Sequence, residues 1–162
     1  MLRAMTSPHR RSAAEQTKLD TALTTLFEQH IRFNQVLGLK LLGLRPPTVR
    51  FDMRPELVGH QLSGRLHGGV ISATLDAMGG LALMWGIGER HPDESAAQVT
   101  QRFARLGTID LRVDYLRQGI GRHFIASAEV MRLGGRVGTT QMKLVNDDGT
   151  LIATAAAAYV VS

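Results

Sequence analysis

The sequence predicts an α+β fold in which one long central helix is wrapped by a curved antiparallel β-sheet, with an extra helix near the N-terminus. Two observations support this prediction. The segment 70–88 is apolar on every face of a helical wheel, so it needs cover on all sides. The last third of the chain changes to β-rich runs separated by short polar or glycine-containing turns, which is typical of an antiparallel meander. One buried helix against one antiparallel sheet is an α+β arrangement.

Length and composition restrict the class of protein. The chain has 162 residues, of which 44% are hydrophobic and 20% are charged, and this fits one domain that buries a core without disulfides. It contains no cysteine, which excludes thiolate metal sites and a cysteine nucleophile and is compatible with the cytoplasm. We therefore expect one cytoplasmic domain over 17–162, preceded by a flexible basic tail over 1–16.

The formal net charge of +5 raises the question of a nucleic-acid partner. The basic residues are mostly arginines scattered along the chain, and no groove-reading or base-stacking motif accompanies them. No nucleic-acid partner is therefore predicted. Arginine suits bidentate contact with phosphate, so a small phosphate-bearing ligand remains a candidate.

The first predicted elements are a helix and two strands. Apolar residues recur at helical spacing over 17–36, which predicts an amphipathic helix. Gly38 ends this helix, and short strands follow at 39–44 and 48–54, separated by Pro46 and Pro47.

The long helix over 70–88 follows a loop at 59–69. At ~1.5 Å per residue it would be about 28 Å long, the breadth of a small domain, so we expect it to run through the middle of the fold. It carries Asp76 and several glycines, which favours a buried helix over a membrane span, and no membrane association is predicted. A polar excursion over 89–107 comes next and includes a short helix at 95–105.

Four β-rich runs complete the sheet. The predicted strands are 108–117, 122–133, 136–146 and 151–161. The turns between them contain Gln118-Gly119-Ile120-Gly121, Gly134-Gly135 and Asp147-Asp148-Gly149.

Asp76 is the first candidate for catalysis, because it is a carboxylate midway along the most apolar segment of the chain. Burial of a carboxylate is costly unless it is compensated. A buried carboxylate in a cleft is a usual general base or nucleophile. A structural alternative stays open, in which Asp76 faces a solvent gap or accepts a hydrogen bond from a hydroxyl such as Thr108 or Thr74.

The second candidate is the run Gly64-Arg65-Leu66-His67-Gly68-Gly69, directly before the long helix. Two glycines at a helix start leave backbone N–H groups free to face a ligand. Together with the positive end of the helix dipole, these groups can polarise a carbonyl and hold an oxyanion. The alternative is that Gly68 and Gly69 only make a tight turn, while His67 caps the helix or packs.

The spacing of the two candidates indicates a site shared between two chains. His67 and Asp76 are nine positions apart, so the carboxylate would lie roughly 10 to 13 Å along the axis from the glycine amides. They cannot act on one carbonyl within one chain. Two antiparallel copies of the helix would bring the N-terminus of one against the middle of the other, which predicts a homodimer with two sites. Further pairing into tetramers stays open.

The run from Leu66 to Asp76, Leu-His-Gly-Gly-Val-Ile-Ser-Ala-Thr-Leu-Asp, resembles the signature of the PaaI-type hotdog-fold acyl-CoA thioesterases of the 4-hydroxybenzoyl-CoA thioesterase-like superfamily. Residues 108–117 are similar to the strand that follows the hotdog helix, and 134–136 lie where the family has a hairpin near the coenzyme A entrance. The match covers 39–161. It implies a hotdog fold that hydrolyses acyl-CoA thioesters, with a medium-chain, long-chain or aromatic acyl group, to free acid and coenzyme A.

The resemblance also implies roles for single residues. Asp76 would be the nucleophile or the base that activates water, and the amide of Gly68 or Gly69 from the partner subunit would polarise the thioester carbonyl. His67 would orient the glycine loop or touch the thioester. Thr108 falls where the family often has a hydroxyl that holds the attacking water.

A further set of residues is implied in substrate binding. Gln61 matches a position that is commonly asparagine, which leaves its role in orienting substrate or water open. The residues assigned to coenzyme A or the acyl group are Arg117, Arg132, Gly134, Gly135, Arg136, Met78 and Trp85. The arginines could equally be solvated strand-end residues, and methionine at helical spacing is more often plain core. The N-terminal helix and the 89–107 excursion could also shape the acyl pocket.

Two other functions stay open on the sequence alone. A hotdog hydratase or dehydratase also pairs a histidine with a helix carboxylate. A non-catalytic acyl-CoA-binding regulatory protein would keep the pocket without turnover. The six histidines show no ligand-like pairing, so no metal is expected, and no cofactor is implied beyond the coenzyme A of the substrate.

Overall fold

A computed structural model describes residues 10–162 as a six-stranded antiparallel sheet packed on one long helix. The helices are α1 (Ala13–Thr25), α2 (Arg32–Leu37), α3 (Gly68–Arg90) and α4 (Ala96–Arg102). The strands are β1 (Lys40–Leu44), β2 (Pro47–Asp52), β3 (Val58–His60), β4 (Arg65–Leu66), β5 (Gly107–Tyr115), β6 (His123–Leu133), β7 (Val137–Asn146) and β8 (Leu151–Val160). The main sheet has the order β1-β2-β6-β7-β8-β5, and β3 pairs with β4 separately. The predicted α+β arrangement is confirmed.

The helix α3 forms the centre of the fold. It contacts β2, β5, β6, β7 and β8, so the sheet wraps along it. By length and composition it could cross a membrane, but 61% of its most apolar window is buried inside the fold. Such burial is expected of the core helix of a folded domain.

One chain covers the two halves of α3 unequally. Every residue from Met78 to Met84 is buried, whereas Ser72, Ala73, Asp76 and Ala77 in the first half are only half-buried. The cover on all sides that the sequence predicts is therefore complete only over 78–84. The open strip borders β5, an edge strand of the main sheet.

Residues 10–16 are placed differently from the predicted flexible tail. The helix α1 begins at Ala13, four residues before the predicted start, because Ser12 Oγ accepts a backbone N–H of the first turn and caps it. The Arg11 guanidinium donates to backbone carbonyls at and just beyond the end of α3. These contacts attach the start of α1 to the core helix. The rest of the predicted tail, residues 1–9, lies outside the described residues.

The single helix predicted over 17–36 is interrupted. A π-helical turn at Leu26–His30 separates α1 from α2. The break frees the carbonyl of Phe27, and the buried Asn34 side-chain amide donates to it at 3.0 Å. Gly38 ends α2 as predicted, with a φ of 73° that suits glycine.

The excursion after α3 contains the predicted short helix in two pieces. Ser95 and Gln98 form a capping box that starts α4, and a 3₁₀ turn at Phe103–Arg105 follows it. The four strands of the last third are all present, with ends that differ from the prediction by a few residues. The predicted meander is correct only for β6, β7 and β8, which pair in sequence order. It is wrong for β5, which pairs with β8 at the sheet edge and not with β6, because an alternating pattern indicates a strand but not its partner.

Candidate active site

The two carboxylate oxygens of Asp76 differ in their hydrogen bonds. Thr108 Oγ1 donates to Asp76 Oδ1 at 2.9 Å. The Tyr159 hydroxyl lies 3.2 Å from the same Oδ1 and 2.9 Å from the Asp76 main-chain carbonyl, and donates to this pair of oxygens. Within residues 10–162, Oδ2 accepts no hydrogen bond. The carboxylate therefore has one anchored oxygen and one that is free to react.

The hydroxyl contact offered as an alternative for Asp76 is present in the structure. Its donor is Thr108, whereas Thr74 Oγ1 is buried and finds no partner in the described part of the chain. Asp76 itself is half-buried rather than enclosed, so the desolvation cost expected from the sequence is only partly incurred in one chain.

Tyr159 is a site residue that the sequence reasoning missed. It is 2% exposed and lies opposite Thr108 in the β5–β8 register, so the two donors to Asp76 are neighbours across the sheet. Burial, and then the nearby Asp76 carboxylate, raise the pKa of Tyr159 above its ordinary value, so its hydroxyl stays protonated and donates. The signal in the sequence is one tyrosine that ends the alanine run 155–158, because small residues let the helix come close.

Gly79 makes the approach of Tyr159 to α3 possible. A Cβ at this position would overlap the Tyr159 hydroxyl and lie 2.8 Å from Thr140 Oγ1. We therefore expect Gly79→Ala to lower the free energy of unfolding by about 1 to 3 kcal/mol, despite the better helix propensity of alanine. The matched control is Gly80→Ala, whose Cβ would meet Leu106 at an ordinary 3.7 Å. Urea unfolding of both variants measures the difference, and equal stabilities would contradict the packing described.

The start of α3 presents one free amide. His67 Nδ1 accepts the Gly69 N–H at 2.8 Å and so caps the helix, which is the structural alternative stated for His67. The Gly68 N–H has no hydrogen-bond partner among residues 10–162, and the Tyr115 hydroxyl donates to the Gly68 carbonyl at 3.1 Å. Of the two predicted oxyanion donors, Gly69 is engaged and Gly68 is available to a ligand at the positive end of the helix dipole.

The amide and the carboxylate lie far apart within one chain. Gly68 and Asp76 are eight residues apart on α3, or about 12 Å along the helix axis. One chain therefore does not bring them to a single carbonyl group, as the spacing in the sequence indicates.

Three other predicted residues lie apart from Asp76 or inside the core. Gln61 is exposed in the turn between β3 and β4 and makes no hydrogen bond in the part of the chain that the structure describes. Met78 is 0% exposed and belongs to the core, the alternative given for it above. Trp85 is half-buried, and its Nε1 is buried without a partner in the described chain.

The arginines predicted for coenzyme A lie at two ends of the sheet. Arg132 and Arg136 flank the turn between β6 and β7, whereas Arg117 lies two residues beyond the end of β5. Because β5 and β7 run in the same direction on either side of β8, these two positions are about a strand length apart, roughly 30 Å at ~3.3 Å per residue. All three side chains are exposed. One chain therefore does not gather them around one ligand.

The glycines of the β6–β7 turn border a cleft that the sequence reasoning did not predict. Gly134 and Gly135 line a cavity of about 680 Å³ together with Arg90 from the end of α3 and Arg102 and Arg105 from the segment after it. Arg90 also donates to the Gly134 carbonyl at 2.9 Å. The 89–107 segment, named above as one that could shape the acyl pocket, thus brings three guanidinium groups to the predicted hairpin.

The comparison with protein families decides the classification. The model of the thioesterase superfamily matches residues 63–153, which is more than half of the chain. The chain belongs to the thioesterase superfamily. The matched span includes the glycine amides, Asp76 and Thr108 of the site described above.

Curated relatives of this thioesterase include two enzymes from enteric bacteria. The medium/long-chain acyl-CoA thioesterase YigI of Salmonella typhimurium is 40% identical over 138 residues, which cover 84% of this chain and 89% of the relative. The protein of the same name from Escherichia coli K12 is 38% identical over the same coverage. The expected enzyme class, a thioester hydrolase, is confirmed.

Solved structures of two relatives share the fold. A Shewanella oneidensis protein related to the thioesterase superfamily has a TM-score of 0.87 and 37% identity, covering 93% of this chain and 100% of that one. A thioesterase-like protein from Syntrophus aciditrophicus has a TM-score of 0.81 and 33% identity, with the same coverage. The expected hotdog fold is confirmed.

Proposed function

We propose that this thioesterase hydrolyses medium- and long-chain acyl-CoA thioesters to free acid and coenzyme A. The observation that carries the proposal is the Asp76 carboxylate on α3, anchored through Oδ1 and open at Oδ2. The relatives named medium/long-chain acyl-CoA thioesterase, which align with 84% of the chain, support this acyl class.

The open oxygen has two chemical routes to the thioester. As a nucleophile, Oδ2 attacks the carbonyl carbon, the coenzyme A thiolate leaves, and water then hydrolyses the acyl anhydride on Asp76. As a general base, Oδ2 takes a proton from water, and the hydroxide attacks the same carbon before the thiolate leaves. Negative charge develops on the carbonyl oxygen in both routes, so both need a nearby donor. Neither route requires a metal or a cofactor.

A second copy of the chain supplies that donor in our proposal. The edge strand β5 exposes Ile109 and Tyr115, by 59% and 54%, beside the open strip of α3. Antiparallel pairing of two β5 edges would cover this apolar surface. It would also place the N–H of Gly68 of the partner subunit beside Asp76, at the positive end of the partner's helix dipole. The active protein is therefore a homodimer with two sites.

The same pairing of two β5 edges brings the separated arginines close enough to bind one ligand. Arg117 lies at the Gly68 end of its own sheet, whereas Arg132 and Arg136 lie at the Asp76 end. Antiparallel pairing brings Arg117 of the partner subunit to the side of Arg132 and Arg136. Guanidinium groups bind phosphate bidentately, so we assign these arginines to the phosphates of one coenzyme A.

The test of the function is release of coenzyme A from a series of saturated acyl-CoAs, from acetyl to palmitoyl, with benzoyl-CoA as the aromatic member. A thiol reagent follows the reaction without background, because the protein has no cysteine. We expect kcat/KM to reach its maximum in the medium- to long-chain range. Absence of release from every member would overturn the proposal.

Two further assays on the same purified protein distinguish the alternative functions. Loss of the conjugated absorbance of an enoyl-CoA, without release of coenzyme A, would identify a hydratase. Tight acyl-CoA binding without either reaction would identify a binding protein. The cytoplasmic location stays a prediction.

A further inference from the structure

We infer that Tyr159 is a positioning residue that, together with Thr108, fixes one oxygen of the Asp76 carboxylate and so selects Oδ2 as the reacting atom. The inference rests on the proposed hydrolysis at Asp76.

The hydrogen bonds of Tyr159 and Thr108 restrict the Asp76 carboxylate. The Tyr159 hydroxyl lies within hydrogen-bond distance of both the main-chain carbonyl and Oδ1 of Asp76, at 2.9 and 3.2 Å. Thr108 donates to the same Oδ1 at 2.9 Å from the neighbouring strand. Contacts to the backbone and the side chain of one residue restrict rotation of its carboxylate, so Oδ2 keeps a fixed direction.

The Tyr159 hydroxyl is itself held in place by its surroundings. Tyr159 is 2% exposed, and its hydroxyl fits against α3 only because residue 79 is glycine. Thr140 Oγ1 lies beside the same space. A buried ring confined in this way holds its hydroxyl in one position, which an exposed side chain such as Thr108 does not ensure.

The chemical consequence is a difference between the two carboxylate oxygens. Oδ1 already accepts two hydrogen bonds, so its lone pairs are less available for attack or for accepting a proton. Loss of one anchor lets the carboxylate turn, and a displacement of about 1 Å at a reacting group can cost on the order of a hundredfold in rate. We therefore expect Tyr159→Phe to lower kcat by roughly 10- to 100-fold while KM stays within about twofold.

The test compares Tyr159→Phe with wild type on the saturated acyl-CoA that is hydrolysed fastest. The matched control is Thr74→Val, which removes another buried hydroxyl from α3 that has no partner in the described chain. The control should keep the wild-type kcat and be at least as stable in urea, because it removes an unsatisfied polar group. Thr108→Val removes the other hydrogen bond to Asp76 Oδ1, and it can be measured even if Tyr159→Phe does not fold. It should also lower kcat without raising KM.

A second measurement separates positioning from a general structural role. If Tyr159 acts through the carboxylate, Tyr159→Phe has no further effect on the residual rate of Asp76→Asn. A further loss of the same size in that background would overturn the inference. So would a folded Tyr159→Phe enzyme with kcat within twofold of wild type. Both results differ from failure of the proposed function, in which the wild type itself releases no coenzyme A.

Discussion

Replacing Asp76 by asparagine should lower kcat for acyl-CoA hydrolysis by a hundredfold or more. Asparagine keeps the shape of the side chain and can still accept from Thr108 and Tyr159, but it provides neither a nucleophilic oxygen nor a base. The expected loss corresponds to about 3 kcal/mol of transition-state stabilisation. Initial rates of coenzyme A release give kcat, and KM should change little because no substrate contact is removed.

The control for this variant is Asp52→Asn. Asp52 is an exposed carboxylate on β2 whose ion pair with Arg50 lies at the surface, where such pairs contribute little to stability. It should retain the wild-type rate. A folded Asp76→Asn enzyme that keeps more than a tenth of the wild-type kcat would exclude Asp76 as the reacting group.

Removing the backbone N–H of Gly68 should lower kcat about as much as Asp76→Asn does. Proline at residue 68 removes this backbone N–H and adds a ring, and it is well tolerated at the first position of a helix. His67 has φ −66° and ψ 137°, which suits a residue before proline. Removal of one oxyanion donor typically costs 10²- to 10³-fold in kcat, and we expect a loss of roughly this size for Gly68→Pro.

Gly68→Ala is the matched control for the amide. It keeps the N–H, and its Cβ would lie 3.5 Å from the Tyr115 ring, an ordinary contact. We expect its kcat to stay within a few-fold of wild type. Equal losses in the alanine and proline variants would mean that the added side chain, and not the missing amide, impairs the enzyme.

Much of the fold follows from patterns that are local in the sequence. A segment that is apolar on all faces has to be the central helix, and β6, β7 and β8 pair with their neighbours in the sequence. The pairing of β5 with β8 was not predicted, because an alternating pattern indicates a strand but not its partner. The Asp76 site was predictable in part, since Thr108 was among the candidate donors. The separation of Arg117 from Arg136 was not predicted, because it follows from the pairing of both β5 and β7 with β8.

The remaining features depend on three-dimensional detail that the sequence does not specify. Whether Gly68 or Gly69 keeps a free amide depends on the direction of the His67 ring. The role of Tyr159 depends on how closely β8 approaches α3, which is determined by Gly79 together with the register of two strands. In the proposed dimer a second chain covers the first half of α3, which the pattern of one chain only implies.

The activity of a mixed dimer tests whether two chains share each active site. Asp76→Asn and Gly68→Pro chains, co-expressed with different affinity tags and purified through both, give dimers with one chain of each kind. If each site takes its carboxylate from one chain and its amide from the other, one site in the mixed dimer is intact and the other lacks both groups. We therefore expect about half of the wild-type kcat per dimer. A mixed dimer no more active than either parent would show that the two groups do not act on one thioester.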